Sequence, residues 1–384
     1  MPKPITRREM LQSFAAAAAA GYLHPVNLFA TSPLPTAPVA IARCAAYGPA
    51  VRASLATLFD QLGGLERLVK GKTVAVKLNL TGQVTSSLRG MPKGSTYWVH
   101  PEVIGSTVSL LGQAGARRIR LLESTLDPDG SLQKFMLAAQ WNPRDFASAA
   151  PRVEFEDTNY AGPSGQYTRL AVPGGGLLFS AYDVNRSYED CDVYVSLAKL
   201  KEHSTAGVTL SMKNSFGIPP ATIYGTAAGP DEPGKVVKGA RMMLHDGRRQ
   251  PPKSSLPEID PASPRDPGYR VPRVTADLAA ARPIHLAIVD GIGTVAGGEG
   301  PWVKGLRPVE ARLLIAGTNG VTTDAVCTAL MGFDPMAHRG TAPFEGCEST
   351  LMLAEQLGLG TRDLKRIEVR GVPIAKARVD FRKA

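Results

Sequence analysis

From Val39 onward, short runs rich in β-branched residues alternate with stretches whose apolar positions recur at helical spacing. Val74-Ala75-Val76-Lys77-Leu78-Asn79 is a short apolar run with a polar end and predicts a strand. Pro101 to Gly115 predicts a helix: proline takes the first position, Val103, Ile104, Val108, Leu110 and Leu111 follow, and a glycine closes it. Ile119-Arg120-Leu121-Leu122-Glu123 then reads as a strand, so strand, helix and strand form a right-handed parallel crossover. The same reading gives strands at 193–197, 286–290, 313–316 and 367–370. It gives helices at 51–62, 131–138, 275–281, 323–331 and 349–357. Such alternation predicts an α/β fold, a three-layer sandwich around a mostly parallel sheet. Between Pro219 and Arg273 the periodicity is lost to proline and glycine, which predicts a long insertion, either a lid or a surface excursion. No internal repeat is present.

The first thirty positions follow another pattern. Thr6-Arg7-Arg8-Glu9-Met10-Leu11, then Phe14, the alanine run Ala15 to Ala20 and Gly21-Tyr22-Leu23, have the layout of a twin-arginine export signal. Weak hydrophobicity suits that route, which carries folded cargo. The expectation is therefore a leader over residues 1–30, a Pro-rich spacer over 31–38, and one α/β domain over 39–384. Ala30 and Ala42 are both plausible ends of the cleaved segment. The protein would then reside in the periplasm or outside the cell, with the twin-arginine translocation machinery as a partner.

Composition narrows the picture further. Of 384 residues 43% are apolar, which is enough to bury a core and excludes disorder for the bulk of the chain. Four cysteines, widely separated and without a C-x-x-C pair, exclude a disulfide-stapled scaffold and offer no framework for an iron–sulfur cluster. No apolar run reaches the ~20 residues of a membrane-spanning helix. The formal charge is +10, yet basic residues gather only moderately, between Lys235 and Lys253, with few aromatics for base stacking. That argues against nucleic acid and for a small anionic ligand or an acidic surface.

In open α/β sheets ligands bind beyond the carboxyl ends of strands, so the polar residues at strand exits are the candidates. These are Lys77 and Asn79, Glu123 and Ser124, then Lys199, Lys201 and His203, and finally Asp290. Taken singly each is an ordinary loop residue; as a group they mark a site. Ser196-Leu197-Ala198-Lys199-Leu200-Lys201-Glu202-His203 continues through Met212-Lys213-Asn214-Ser215-Phe216-Gly217. Matching stretches occur in order at Lys77-Leu78-Asn79, His100-Pro101-Glu102-Val103, Gln113-Ala114-Gly115-Ala116, Ile288-Val289-Asp290-Gly291, Gly298-Glu299-Gly300-Pro301, Thr323-Asp324-Ala325-Val326 and Gly332-Phe333-Asp334-Pro335. Through these motifs the chain resembles the bacterial and archaeal proteins grouped as domain of unknown function 362, from about Val74 to Pro335. Many relatives append a ferredoxin-like cluster domain; this sequence lacks its C-x-x-C-x-x-C spacing, so cluster binding is not expected here. The resemblance implies a fold and a site but no named activity.

The chemistry follows from residue types. Lys199, Lys201 and Lys213, with His203 and Asn214, concentrate donors and positive charge suited to a carboxylate or phosphate. A lysine beside other cations can also lose its proton and act as base or nucleophile. The expected set is His203, Lys201 and Asp290 as catalytic groups, with Lys77, Asn79, Lys199, Lys213, Asn214 and Glu299 around the substrate. A divalent metal is a second option, with His203, His245 and His100 as ligands beside Asp290 or Glu299. No two of these histidines have i, i+4 spacing, so only tertiary convergence would bring them together. The glycines from Gly291 to Gly300 lack the helix and the Lys-Ser/Thr ending that nucleotide loops require. Asp324 reads as a first-turn helix acid that the resemblance also makes a site candidate. The expected function is an exported enzyme acting on a small anionic substrate; the alternative is a periplasmic anion- or metal-binding protein without turnover.

Overall fold

Strand side chains alternate between the two faces of a sheet, and here both faces are apolar, which calls for a layer of helices on each. The computed structural model describes residues 33–126, 131–141 and 143–383; the leader expected over 1–30 lies outside them. Eight strands form the central sheet: β1 (Val39–Arg43), β2 (Thr73–Lys77), β3 (Arg118–Glu123), β4 (Val153–Asp157), β5 (Val193–Lys199), β6 (Leu286–Gly291), β7 (Leu313–Gly317) and β8 (Val369–Gly371). Their order is β8-β1-β7-β6-β5-β2-β3-β4. Every neighbouring pair is parallel except the two that β7 makes, with β1 and with β6. The expected mostly parallel sheet is present.

Helices α1 (Ala50–Gln61) and α2 (Pro101–Gln113) cover one face. Val51, Leu55, Val103 and Ile104 pack there with Val74, Val76, Leu121, Val195, Leu197 and Ile288. Helices α3 (Leu210–Ser215), α4 (Pro267–Ala281), α5 (Gly320–Leu330) and α6 (Thr350–Gln356) cover the other. Met212, Val274, Leu278, Val326 and Leu351 meet Ala75, Leu122, Ala198, Ala287, Val289 and Ile315 on that side. Each such side chain contributes roughly 1.5–3 kcal/mol of hydrophobic burial. The three layers follow directly from the strand alternation.

Two expectations change. The aperiodic stretch ends at Pro267, not Arg273, because α4 starts there with Asp266 as its cap: the Asp266 carboxylate accepts from the Gly268 N–H at 3.0 Å. Pro272 inside α4 cannot donate to the Gly268 carbonyl, and the Glu348 N–H donates to it instead at 2.9 Å. Gly268 is small because a Cβ there would meet the Gly346 carbonyl. The remainder of the insertion is no loose excursion either, since Val237, Arg241, Met243, Leu244 and Glu258 are all buried. Among the described residues no helix is long and apolar enough to cross a membrane.

Candidate functional site

The order of the sheet fixes where a ligand can enter. After β2 the chain moves outward to β3 and β4, then returns to β5 on the other flank of β2 and continues to β6. The carboxyl ends of β2 and β5 thus diverge into a crevice at the switch in strand order. A cavity of about 630 Å³ lies there. Lys77 at the end of β2 and Asn79 beyond it, Glu123 and Ser124 at the end of β3, and Lys201 and His203 beyond β5 all line it. So do Lys213 and Asn214 of α3, Lys238, Arg241 and His245 of the insertion, and Glu299 with Trp302 from the glycine loop after β6. Five cations face two carboxylates, Glu123 and Glu299, among the described lining residues.

One wall is rigid. The Lys77 ammonium, fully buried, donates to Glu123 Oε1 at 2.5 Å and to the Leu78 carbonyl at 2.6 Å. Glu123 also accepts from the N–H groups of Leu80 and Ser124, which ties the ends of β2 and β3 together. Asn214 Nδ2 reaches Ser196 Oγ at 3.0 Å and the carbonyls of Lys77 and Leu197 at 3.3 Å. That leaves Asn214 Oδ1 as an acceptor, and Asn79 Nδ2 donates to it at 3.0 Å. Asn79 Oδ1 is therefore turned away from Asn214 and is buried without a partner among the described residues. Gly217 closes the motif because a Cβ there would meet the Lys77 ammonium.

The other groups are mobile in charge. Burial lowers the Lys201 amine to about 7, although its Nζ donates to the Tyr97 carbonyl at 2.8 Å and the Glu299 carbonyl at 3.0 Å. Burial, reinforced by Arg241 and Lys77 and opposed by Glu299, also lowers Lys213 to about 7. Its Nζ sits 4.0 Å from the centroid of the Phe216 ring and has no hydrogen-bond or ion-pair partner among the described residues. His203 is held well below its ordinary value by burial and by Lys213, so its ring is neutral. Its Nδ1 accepts the Thr205 N–H at 3.2 Å, which assigns the ring proton to Nε2. His245, lowered to about 4 by burial, lies 3.1 Å through Nδ1 from the Arg241 carbonyl. Glu299 would be raised by burial, but the Ser204 N–H at 2.9 Å, the Trp302 indole N–H at 2.8 Å and the Lys201 charge hold it below its usual range. It is a fixed anion at the mouth. Trp302 packs there against Gly82 and Gly300, where a Cβ would strike its ring.

Three nominated residues are not brought to the cavity. Lys199 and Asp290 end their strands on the α1–α2 face, in register with one another, and pair at 2.9 Å with both side chains fully buried. Tyr47 donates to Asp290 Oδ1 at 3.0 Å, the His100 N–H donates to Oδ2 at 3.1 Å, and the His100 ring stacks on Tyr47 at 3.7 Å. Period-two alternation explains the split: Ala198 faces α3, so Lys199 faces away from it. His100 serves instead as the cap of α2, its Nδ1 accepting from the Glu102 N–H. The metal set His100, His203 and His245 does not assemble, and no three His, Cys, Asp or Glu among the described residues converge as ligands. Asp324 also lies outside the cavity. Its carboxylate takes the Ser211 and Met212 N–H groups at 2.9 and 2.8 Å, at the start of α3.

Sequence reasoning missed Arg241. It is buried with a backbone φ of 59°, unusual for a side chain of its size, and its guanidinium binds the carbonyls of Pro219, Ser124 and Gly217. The basic cluster from Lys235 to Lys253 was a signal, but nothing local says which of its members turns inward.

The sequence model of the family described as a domain of unknown function (DUF362) matches residues 74–329. Over 169 residues the chain is 30% identical to a thylakoid-associated protein of Synechocystis sp.; the match covers 44% of this chain and 46% of that protein. The chain thus spans about half the length of the curated relative it matches. Among solved structures, a Thermotoga maritima protein from a structural genomics consortium aligns over 68% of this chain and 54% of its own, at 14% identity and a TM-score of 0.33. The lactate racemase apoprotein from Thermoanaerobacterium thermosaccharolyticum aligns over 64% and 48%, at 12% identity and a TM-score of 0.31. At these values neither likeness bears on activity.

Proposed function

This chain belongs to the DUF362 family, whose matched segment carries every nominated site residue, and from that premise we propose an exported enzyme that acts on a small anionic substrate. One observation carries the reading: the Lys213 ammonium faces a cavity without a hydrogen bond or ion pair among the described residues, its close contact being the Phe216 ring, in a wall where cations outnumber carboxylates. A half-buried cation left without a counter-ion is costly, and an incoming carboxylate or phosphate reduces that cost. Lys213 binds the anion, and the Nε2–H of neutral His203 is a second donor to it. Lys201, titrating near neutrality, exchanges a proton with the bound molecule. Glu299 at the mouth repels anions that are not paired with a donor group, which favours substrates carrying a hydroxyl, amine or carbonyl beside the acid. Arg7 and Arg8 support export to the periplasm or beyond.

The test has two stages. Purified protein is screened by thermal shift against carboxylates and phosphates, and each stabilising compound is then incubated with it and followed by mass spectrometry. Stabilisation with product appearing is the expected result. Stabilisation without product makes the protein an anion-binding protein, and no stabilisation by any anion overturns the reading.

A further inference from the structure

Four lysines line the cavity; Lys238 is exposed, and the other three are not equivalent. The Lys77 ammonium is held by Glu123 and the Leu78 carbonyl, and that of Lys201 by the carbonyls of Tyr97 and Glu299. Lys213 alone of the three has neither hydrogen bond nor counter-ion among the described residues. Its amine stands over the Phe216 ring, on an apolar floor that excludes water from beneath it, while the open side faces the ligand space. A free amine on an apolar floor beside other cations is the arrangement of a nucleophile.

We propose that Lys213 forms a Schiff base with a small oxo acid, whose carboxylate is held by the cationic wall. The inference rests on the reading of the cavity as an anion site and names its substrate class. The step balances without a co-reactant. The amine nitrogen of Lys213 adds to the carbonyl carbon, the carbonyl oxygen leaves as water with the two amine hydrogens, and a carbon–nitrogen double bond remains. The His203 Nε2–H offers a hydrogen bond to the departing oxygen. Burial keeps a large share of the Lys213 amine unprotonated at neutral pH. Once protonated, the imine withdraws electrons from the neighbouring carbon, so the reaction class is proton abstraction or carbon–carbon cleavage next to the former carbonyl.

The proposal is tested by reductive trapping on the full chain. The protein is incubated with sodium cyanoborohydride and, in turn, pyruvate, 2-oxobutyrate, oxaloacetate and 2-oxoglutarate, then digested and mapped by mass spectrometry. The expected adduct is the oxo acid less one oxygen atom, on Lys213, at least about tenfold above the exposed Lys253 and suppressed by excess sulfate. Its yield rises with pH through 7, as the amine loses its proton. Lys201→Met retains labelling at position 213 if it folds, and a Lys213→Arg chain loses it while keeping the positive charge. Labelling of Lys213 no greater than that of Lys253 with all four acids overturns the proposal. If sulfate still binds by calorimetry in that case, the anion site stands and only the covalent step falls; if sulfate does not bind, both fall.

Discussion

Two lysines separated by a single residue, Lys199 and Lys201, would share one face of a continuing strand, and they do different work because β5 ends at Lys199 and Lys201 lies beyond the sheet. Lys199 is locked to Asp290 with both groups out of solvent. Replacing Asp290 by alanine leaves that ammonium buried and unpaired, and costs about 3–5 kcal/mol. Urea denaturation checks the magnitude, and the folded Asp290→Ala protein is expected to bind anions as the parent does. The residue types of the site were legible in the sequence, since lysine, histidine, asparagine and glutamate gathered at strand exits. Facing was not legible for Lys199, Asp290 and His100, because the pairing partner Tyr47 lies far away in the chain. Nor was the tautomer of His203, which depends on the local Thr205 N–H and makes the ring a donor instead of a base.

At the level of elements, the short helix α3 is held under strain. Leu210, its first residue, has a φ of 47°, a left-handed conformation that costs roughly 1–2 kcal/mol for a side chain of this kind. The Asp324 carboxylate over-determines that turn by accepting from the Ser211 N–H and hydroxyl and from the Met212 N–H. Asp324→Ala leaves buried donors unpaired and costs roughly 1–3 kcal/mol in thermal or chemical unfolding. Because α3 carries Lys213 and Asn214, the same change is expected to weaken anion binding, with Asp324→Asn, which keeps one acceptor, restoring part of it. Helix α2 was legible from its apolar spacing, first-position proline and closing glycine, and α1 and α5 from apolar stretches of helical length. Helix α4 was half hidden: Pro267, Gly268 and Pro272 read locally as breakers, and only the distant Glu348 N–H and Gly346 carbonyl explain why a helix tolerates them.

Over the whole molecule, one sheet with a single reversal of strand order supplies both the scaffold and the crevice. Parallel pairing of β2 with β3 was foreseeable from the strand–helix–strand rhythm, but the order that places β5 beside β2 comes from long-range pairing that no local pattern encodes. The export reading belongs to this scale too. With Arg7 and Arg8 both changed to lysine, cell fractionation is expected to find the chain retained in the cytoplasm, whereas unchanged periplasmic recovery would remove the twin-arginine route. The central claim is that the groups brought to this crevice form an anion site built on Lys213. Calorimetric titration of sulfate, which stays a dianion throughout, against parent and Lys213→Met protein at pH 6 and pH 8 tests it most directly. With the Lys213 amine near 7, the parent should bind about tenfold more tightly at pH 6 than at pH 8, and Lys213→Met should bind weakly at both. Equal affinity in parent and variant, or binding that strengthens as the pH rises, would contradict the account.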